Sequence, residues 1–261
     1  MTDESDIEVG KQVRDLYKSA DSSAAGRRFP VRESWLGDVS CKFPRNVDGL
    51  TLEEHLGNLP KDSKVLDIGA GSGAAALEIE KTYPVIQVYA LTPNKCEKLE
   101  DDQVVVGGLQ TLRVNKGAVK ELQEKGPFDV TYAHWVYRHL PDPLAVLKTQ
   151  WMLTKKGGDM YGDGINLFES SDISQRWVGK LLRFWELIGV GKFQIVNIGE
   201  FKDGSGDKIT LDFVVRKTGK RLPIPVNITG IRGEEGSKWV EYGFDDELAK
   251  QILNNRGLPD L

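Results

Sequence analysis

Three glycines at alternate positions give residues 65–73, Val-Leu-Asp-Ile-Gly-Ala-Gly-Ser-Gly, the character of a ligand-binding loop. Glycine turns tightly, so Gly69, Gly71 and Gly73 would let a ligand approach the main chain closely. The apolar run before them is typical of a buried parallel strand, and the alanine-rich segment after them is typical of a helix. A glycine loop between a strand and a helix N-terminus therefore predicts a cofactor site.

The elements that must position this loop alternate along the chain. Strands that alternate with helices and end in a hairpin indicate an α/β protein with a mostly parallel sheet covered on both faces. Besides the strand before the loop, apolar runs predict extended segments at 85–91, 112–115, 128–133, 160–168, 193–198 and 209–215. Apolar spacing predicts helices at 72–83, 143–153, 172–188 and 245–253, with the start of another at 93–99.

Three segments resemble motifs of the class I S-adenosylmethionine-dependent methyltransferases. Residues 65–73 look like the first motif of that family. Residues 128–130, Phe-Asp-Val, followed by 139–143, His-Leu-Pro-Asp-Pro, resemble the fourth-strand region of its small-molecule branch. Residues 153–158, Leu-Thr-Lys-Lys-Gly-Gly, are similar to the "LKPGG" turn of that branch, with Lys156 where proline usually stands.

The resemblance runs from about residue 64 to residue 215 and implies a Rossmann-like, doubly wound, seven-stranded sheet whose last strand is antiparallel. We expect an N-terminal helical cap segment at 1–60, a methyltransferase-like core at 61–216 and a C-terminal extension at 217–261. The implied activity is methyl transfer from S-adenosylmethionine to a small-molecule acceptor. The implied cofactor-binding residues are Asp67, Gly69, Ala70, Gly71, Leu91, Thr92, Ala118 and His134.

Asp67 helps to separate two ligand classes that use such a loop. The pyrophosphate of a dinucleotide would be repelled by a carboxylate two residues before the first glycine, whereas the cationic amino acid and sulfonium of S-adenosylmethionine favour one. The positions of Gly69, Gly71 and Ala74 also fit the GxGxxA dinucleotide pattern. A dinucleotide site and a tight turn that binds nothing therefore remain as alternatives.

Two positions depart from the family pattern. Ala90 stands where the family carries the acidic residue that holds the ribose hydroxyls, and residues 116–119 lack the aspartate often found near the adenine. The loss of a hydrogen bond to a charged acceptor costs about 1.5–3 kcal/mol, or about 10- to 150-fold in affinity. Thr92, Asn94 or Glu97 could substitute. The alternative function is a methyltransferase-like protein with weakened or lost cofactor binding, acting as a binding partner or in non-methylating chemistry.

Among the three histidines, His134 is the candidate catalytic residue, because it follows the fourth predicted strand and imidazole suits general-base chemistry at neutral pH. The structural alternative is a histidine packed beside Trp135 and hydrogen-bonded to the backbone. His139 and Asp142 favour roles at the start of the next helix, with Asp142 as its N-cap. His55 has no partner that the sequence reveals.

Composition limits the remaining possibilities. The 261 residues carry 35 basic and 39 acidic side chains, a net charge of −4, which gives no support to nucleic-acid binding. The chain has two cysteines and no CxxC pair, so we expect no disulfide framework and no metal site. Without about 18 consecutive apolar residues, no membrane span is expected, and we predict a cytoplasmic protein of unknown oligomeric state.

Overall fold

The three-dimensional structure is a computed structural model with side chains. It describes residues 11–12, 36, 43–93, 99–107, 116–134, 136–137, 140, 142–169, 180–181, 183–189, 193–202, 207–219, 222–232 and 239–259.

The central element is a seven-stranded sheet with the strand order β3-β2-β1-β4-β5-β7-β6. Six strands run parallel to one another, and β7 is antiparallel to both of its neighbours, β5 and β6. This confirms the predicted doubly wound, mostly parallel sheet with an antiparallel last strand. The strands are β1 Lys64–Ile68, β2 Gln87–Thr92, β3 Val104–Val106, β4 Phe128–Ala133, β5 Thr154–Glu169, β6 Phe193–Lys202 and β7 Asp207–Arg216.

Helices cover the sheet where the connections cross over. The helices with defined bounds are α1 Leu52–Gly57, α2 Ala74–Thr82, α3 Lys116–Lys125, α4 Pro143–Leu153 and α5 Asp246–Asn254. Helix α1 begins with a capping box, in which the side chains of Thr51 and Glu54 each accept a hydrogen bond from the other residue's backbone N–H. None of the helices in the described part of the chain is long and apolar enough to cross a membrane.

Alternate residues of the central strands feed two apolar clusters, one on each face of the sheet. On β1, Leu66 and Ile68 belong to the cluster that also contains residues of α4, whereas Val65 belongs to the cluster that contains Leu52 and Leu56 of α1. Burial on both faces explains why these strands are apolar almost throughout.

The C-terminal residues add a two-stranded antiparallel sheet, β8 Val226–Arg232 with β9 Trp239–Phe244, followed by α5. Ala249 and Leu253 of α5 lie in the same apolar cluster as Leu66 of β1. The hydroxyl of Tyr242 on β9 donates to a carboxylate oxygen of Asp142, which also caps α4. The extension therefore packs against the core, and the domain boundaries at residues 60 and 216 stay predictions.

The segment before α1 is held on the sheet by a buried polar network. Arg216 of β7 donates to both carboxylate oxygens of Asp159 on β5, at 2.8 Å each. Asn46 donates to the same carboxylate at 3.0 Å, and His55 of α1 meets the hydroxyl of Tyr161 at 3.0 Å. Asp159 is fully buried, so these bonds offset the cost of removing its charge from water.

Several sequence-based assignments need correction. The third strand is at Val104–Val106, and the segment 112–115, where this strand was predicted, lies outside the described residues. Residues 155–158, expected to form a turn after α4, lie within β5, where the register shifts and Gly157 has a φ of +83°. The helix expected to start at residue 93 falls largely on undescribed residues, and that at 172–188 is described only near its end, where residues 183–187 are helical.

Candidate functional site

The predicted site residues collect at the carboxyl edge of the parallel strands. Strand β1 lies between β2 and β4, so the chain leaves β1 toward one side of the sheet and later returns on the other. A crevice forms at such a switch point in doubly wound folds, and ligands bind there. The glycine loop after β1, Thr92 at the end of β2 and His134 after β4 all lie at this edge.

The glycine loop adopts a conformation that its glycines make possible. Gly69, Gly71 and Gly73 have φ values of +77°, +56° and +76°, in the region that residues with a Cβ rarely occupy. The N–H groups of Gly69 and Ala70 both donate to the carbonyl oxygen of Leu91, at 2.8 and 3.0 Å. The start of the loop is therefore fastened to β2, and Ala70 and Leu91 hold the loop through their backbones.

Open space borders the loop at its middle glycine. A Cβ built on Gly71 would meet no atom within 4 Å. The Thr92 hydroxyl donates to the Gly71 carbonyl oxygen at 3.1 Å, and Gly107 N–H donates to the Thr92 carbonyl oxygen at 2.9 Å. The ends of β1, β2 and β3 are thus hydrogen-bonded into one rim around this space.

Helix α2 begins at the loop without a side-chain cap. Its N-cap is Gly73, which offers no side-chain acceptor, and its first turn contains no acidic residue. The N–H groups of a first helical turn have no partner within the helix and attract negative charge. The arrangement suits the carboxylate of an amino acid ligand.

Asp67 is a buried carboxyl group on β1, two residues before the first glycine of the loop. Its side chain is on β1 and the residue is 4% exposed. Burial raises the pKa of Asp67 to about 7, and the nearby Tyr132 hydroxyl partly offsets that rise. Within the described residues, the buried Tyr132 hydroxyl has no partner at hydrogen-bond geometry, although it lies close enough to Asp67 to affect its pKa.

Ala90 and Ala118, the two positions that depart from the expected family pattern, have different surroundings. Ala90 is fully buried in the apolar cluster of Val104 and pairs with Asp67 of β1 across the sheet. Ala118 lies in the first turn of α3 and is 4% exposed. A Cβ atom added to Gly107 would lie 2.8 Å from the Cβ atom of Ala118. Ala118 thus packs against the rim at the end of β3.

His134 is buried and hydrogen-bonded to a carboxylate that the sequence analysis did not select. Its Nδ1 lies in a short hydrogen bond with Oδ2 of Asp163 on β5. The ring of Phe43 packs edge-on against the imidazole, with centroids 5.8 Å apart. The expected neighbour Trp135 is outside the described residues. Asp163 could have been suspected from β5, because Asp159, Tyr161 and Asp163 alternate along one face of a buried strand.

The other predicted polar residues lie away from the loop or outside the described chain. Asp142 caps α4 as predicted, accepting from the N–H of Ala145 at 3.0 Å. His55 belongs to the polar network of β5, and burial lowers its pKa. His139, Asn94 and Glu97 are not described. In the described part of the chain, no group of three or more His, Cys, Asp or Glu side chains is placed to hold a metal ion.

Comparison with known families gives a match over the central part of the chain. Residues 44–200 match the family described as "Methyltransferase domain", which covers more than half of the chain. The matched range includes the glycine loop, His134 and Asp163.

Two relatives are similar over part of their length. The "Ubiquinone biosynthesis O-methyltransferase" of Acinetobacter baylyi is 27% identical over 119 residues, which cover 44% of this chain and 48% of the relative. An uncharacterised methyltransferase of Schizosaccharomyces pombe is 26% identical over 137 residues, which cover 44% of this chain and 49% of the relative. The chain therefore matches about half the length of these curated relatives.

Among solved structures, the plantazolicin methyltransferase BpumL, in complex with a desmethyl-plantazolicin analogue and SAH, is 10% identical with a TM-score of 0.43, covering 80% of this chain and 90% of that one. The Methanococcus jannaschii fibrillarin pre-rRNA processing protein is 19% identical with a TM-score of 0.40, and the match covers 61% of this chain and 68% of that protein. At these TM-scores neither structure adds to the assignment, which depends on the family match.

Proposed function

Because the chain belongs to the class I S-adenosylmethionine-dependent methyltransferases, we propose that it transfers the methyl group of this cofactor to a small-molecule acceptor. The observation that carries the proposal is the glycine loop. Gly71 has a positive φ and borders open space, at the carboxyl edge of the sheet and beside the uncapped start of α2.

The residues present fit S-adenosylmethionine. Gly71 allows close approach to the backbone, and the first N–H groups of α2 can bind the amino acid carboxylate. Thr92 fixes the loop carbonyl that borders the same space. When bound, the cofactor supplies a methyl group on a sulfonium, and the protein's task is to align an acceptor with it.

His134 is the group we propose to take the acceptor's proton. It follows β4 directly, and β4 is the neighbour of β1 on the side away from β2, so the histidine lies next to the end of the strand that carries the glycine loop. A base at this point could receive a proton from a hydroxyl as the new bond to carbon forms.

Two observations favour a small molecule over a nucleic acid as acceptor. The chain has a net charge of −4, which disfavours binding to a phosphate backbone. The relative from Acinetobacter is named for O-methylation in ubiquinone biosynthesis, although this chain matches only 48% of its length. The cytoplasmic location expected from the sequence belongs to the same proposal.

One observation favours the alternative of weak cofactor binding. The resemblance matches Ala90 to the position that usually carries the ribose-binding carboxylate, and Ala90 is buried in an apolar cluster, so this position supplies no ribose contact. Thr92, which could have replaced that carboxylate, already donates its hydroxyl proton to Gly71. A protein that binds the cofactor weakly would use this pocket as a binding module and not for methyl transfer.

The proposal is tested by incubating the purified protein with methyl-labelled S-adenosylmethionine and three acceptor pools, namely small phenols and hydroxy acids, transfer RNA, and a denatured protein extract. We expect label in the small-molecule pool and its loss with His134→Gln. Label confined to RNA or protein would contradict the small-molecule acceptor. Absence of both transfer and S-adenosylhomocysteine binding would favour the alternative.

A further inference from the structure

We propose that Asp163 is a positioning residue that fixes the tautomer of His134, so that Nε2 is the basic nitrogen presented to the acceptor. The use of this nitrogen in methyl transfer rests on the proposed function. The hydrogen-bond arrangement itself is a property of the free protein and can be tested without cofactor or acceptor.

Strand pairing brings the two residues together. Ala133, the last residue of β4, pairs with Gly162 of β5, and each is followed directly by one member of the pair. His134 and Asp163 therefore lie side by side just beyond the paired residues, at the edge that carries the glycine loop. Their separation of 29 residues along the chain explains why the sequence did not reveal the pairing.

Burial makes the hydrogen bond selective for one tautomer. His134 is 7% exposed and Asp163 is 6% exposed. An ionised carboxylate only accepts hydrogen bonds, so the Nδ1 that faces it must carry the proton, and in the neutral ring the lone pair is then on Nε2.

Packing limits the ring to this orientation. Phe43 meets the imidazole edge-on, with an angle of 71° between the planes, and meets Tyr161 on β5 in the same manner at 5.6 Å. The His134 ring is thus held by an aromatic contact as well as by Asp163. A catalytic base is effective when its own rotamer is fixed by such supporting groups.

The chemical step that this arrangement serves is methylation of an acceptor that must lose a proton, such as a hydroxyl. The oxygen lone pair forms the new O–C bond, and the C–S bond breaks with its electron pair going to sulfur. The hydroxyl proton passes to Nε2 of His134 and then to solvent. The imidazolium formed in this step is stabilised by the adjacent Asp163 carboxylate.

Substitution of Asp163 by asparagine separates positioning from mere packing. The side chains have nearly the same size, but the amide of asparagine can donate a hydrogen bond where the carboxylate could only accept. If the amide introduced by Asp163→Asn donates to Nδ1, the ring proton moves to Nε2 and the lone pair is turned away from the acceptor. Asp163→Glu keeps the acceptor chemistry and serves as the conservative variant.

The experiment is nitrogen NMR of the three histidines, labelled at both ring nitrogens, in the parent, Asp163→Asn and Asp163→Glu. His134→Gln identifies the His134 signals, and His55 is the internal control. For the neutral ring, we expect Nδ1-protonated His134 in the parent and the glutamate variant, and Nε2-protonated His134 in the asparagine variant. A proton on Nε2 of the neutral His134 ring in the parent would overturn the proposal.

A second measurement keeps this result separate from the proposed function. Calorimetric titration with S-adenosylhomocysteine should give the same affinity, within about twofold, for the parent and for Asp163→Asn, because Asp163 acts through His134 and not on the cofactor. A loss of more than tenfold in a folded Asp163→Asn variant would make Asp163 part of the cofactor site and overturn the positioning role. No binding in the parent would refute the cofactor site while leaving the tautomer result intact.

Discussion

The hydroxyl of Thr92 donates a hydrogen bond of 3.1 Å to the carbonyl oxygen of Gly71. This contact joins the end of β2 to the middle of the glycine loop after β1, 21 residues earlier in the chain. The conformation of the cofactor loop therefore depends on a neighbouring strand as well as on the glycines.

We expect Thr92→Val to weaken S-adenosylhomocysteine binding by about 2- to 10-fold, because one neutral hydrogen bond contributes about 0.5–1.5 kcal/mol. Valine keeps the shape of a residue that is 1% exposed. Thr149→Val is the matched control, since Thr149 makes a similar bond to the carbonyl of Ala145 at 3.0 Å on α4. Equal affinities for both variants, measured by calorimetry, would show that the contact does not order the loop.

Asp67 should make stability depend on pH near neutrality. The folded protein holds the proton of this buried carboxyl up to about pH 7, whereas the unfolded chain releases it near its ordinary pKa of about 4. Asp67 thus favours the folded state fully below about pH 4, and this contribution is lost as the pH rises through about 7.

Denaturant unfolding of the parent and Asp67→Asn measures this effect. Between about pH 5 and about pH 7, the free energy of unfolding of the parent should fall by about 2–3 kcal/mol relative to that of the variant, because each pH unit contributes up to about 1.36 kcal/mol. Asp62→Asn, at an exposed carboxyl, should follow the parent. A parent that gains stability relative to Asp67→Asn over this range would mean that Asp67 is ionised in the fold.

Ala90→Asp should destabilise the protein and should not restore a ribose contact. Ala90 is fully buried and pairs with Asp67, so a new carboxylate would lie in an apolar cluster beside an existing carboxyl group. We expect a loss of about 3 kcal/mol or more in the free energy of unfolding, and a smaller loss for the neutral Ala90→Ser. If a folded Ala90→Asp bound S-adenosylhomocysteine at least tenfold more tightly than the parent, position 90 would face the ribose.

Tyr242→Phe tests whether the C-terminal extension stabilises the core. Its hydroxyl donates to Asp142, the N-cap of α4, and a hydrogen bond to a charged group contributes about 1.5–3 kcal/mol. Tyr89→Phe is the control, because the Tyr89 hydroxyl meets Gln87 at an exposed position. Unchanged unfolding of Tyr242→Phe in denaturant would indicate that residues after 216 do not stabilise α4.

The sequence predicted the elements that are local and strongly patterned. Helix α4 has the predicted bounds, Pro143–Leu153, because Asp142 and Pro143 mark its start and apolar residues recur at helical spacing. The glycine loop was identified for the same reason, since a buried strand, three glycines and a helix follow one another directly.

The features that the sequence did not reveal depend on pairing between distant segments. Strand β3 has only three residues, Val104–Val106, too few for a periodic signal, and its identity comes from pairing with β2. The partner of His134 lies on β5, and the partners of Asp159 come from residues 46 and 216. Such contacts are set by strand order and register, which a single sequence does not determine.

The central claim, that the glycine loop is the cofactor site, is tested most directly by titrating S-adenosylhomocysteine into the parent, Gly71→Val and Gly157→Val in a calorimeter. Gly157 is the matched control, because it also has a positive φ and open space around its Cβ position, but lies on β5 near the amino edge of the sheet. We predict binding by the parent and by Gly157→Val, and a loss of at least tenfold in folded Gly71→Val. Equal affinity in all three proteins, or loss in both variants alike, would contradict the assignment of the loop.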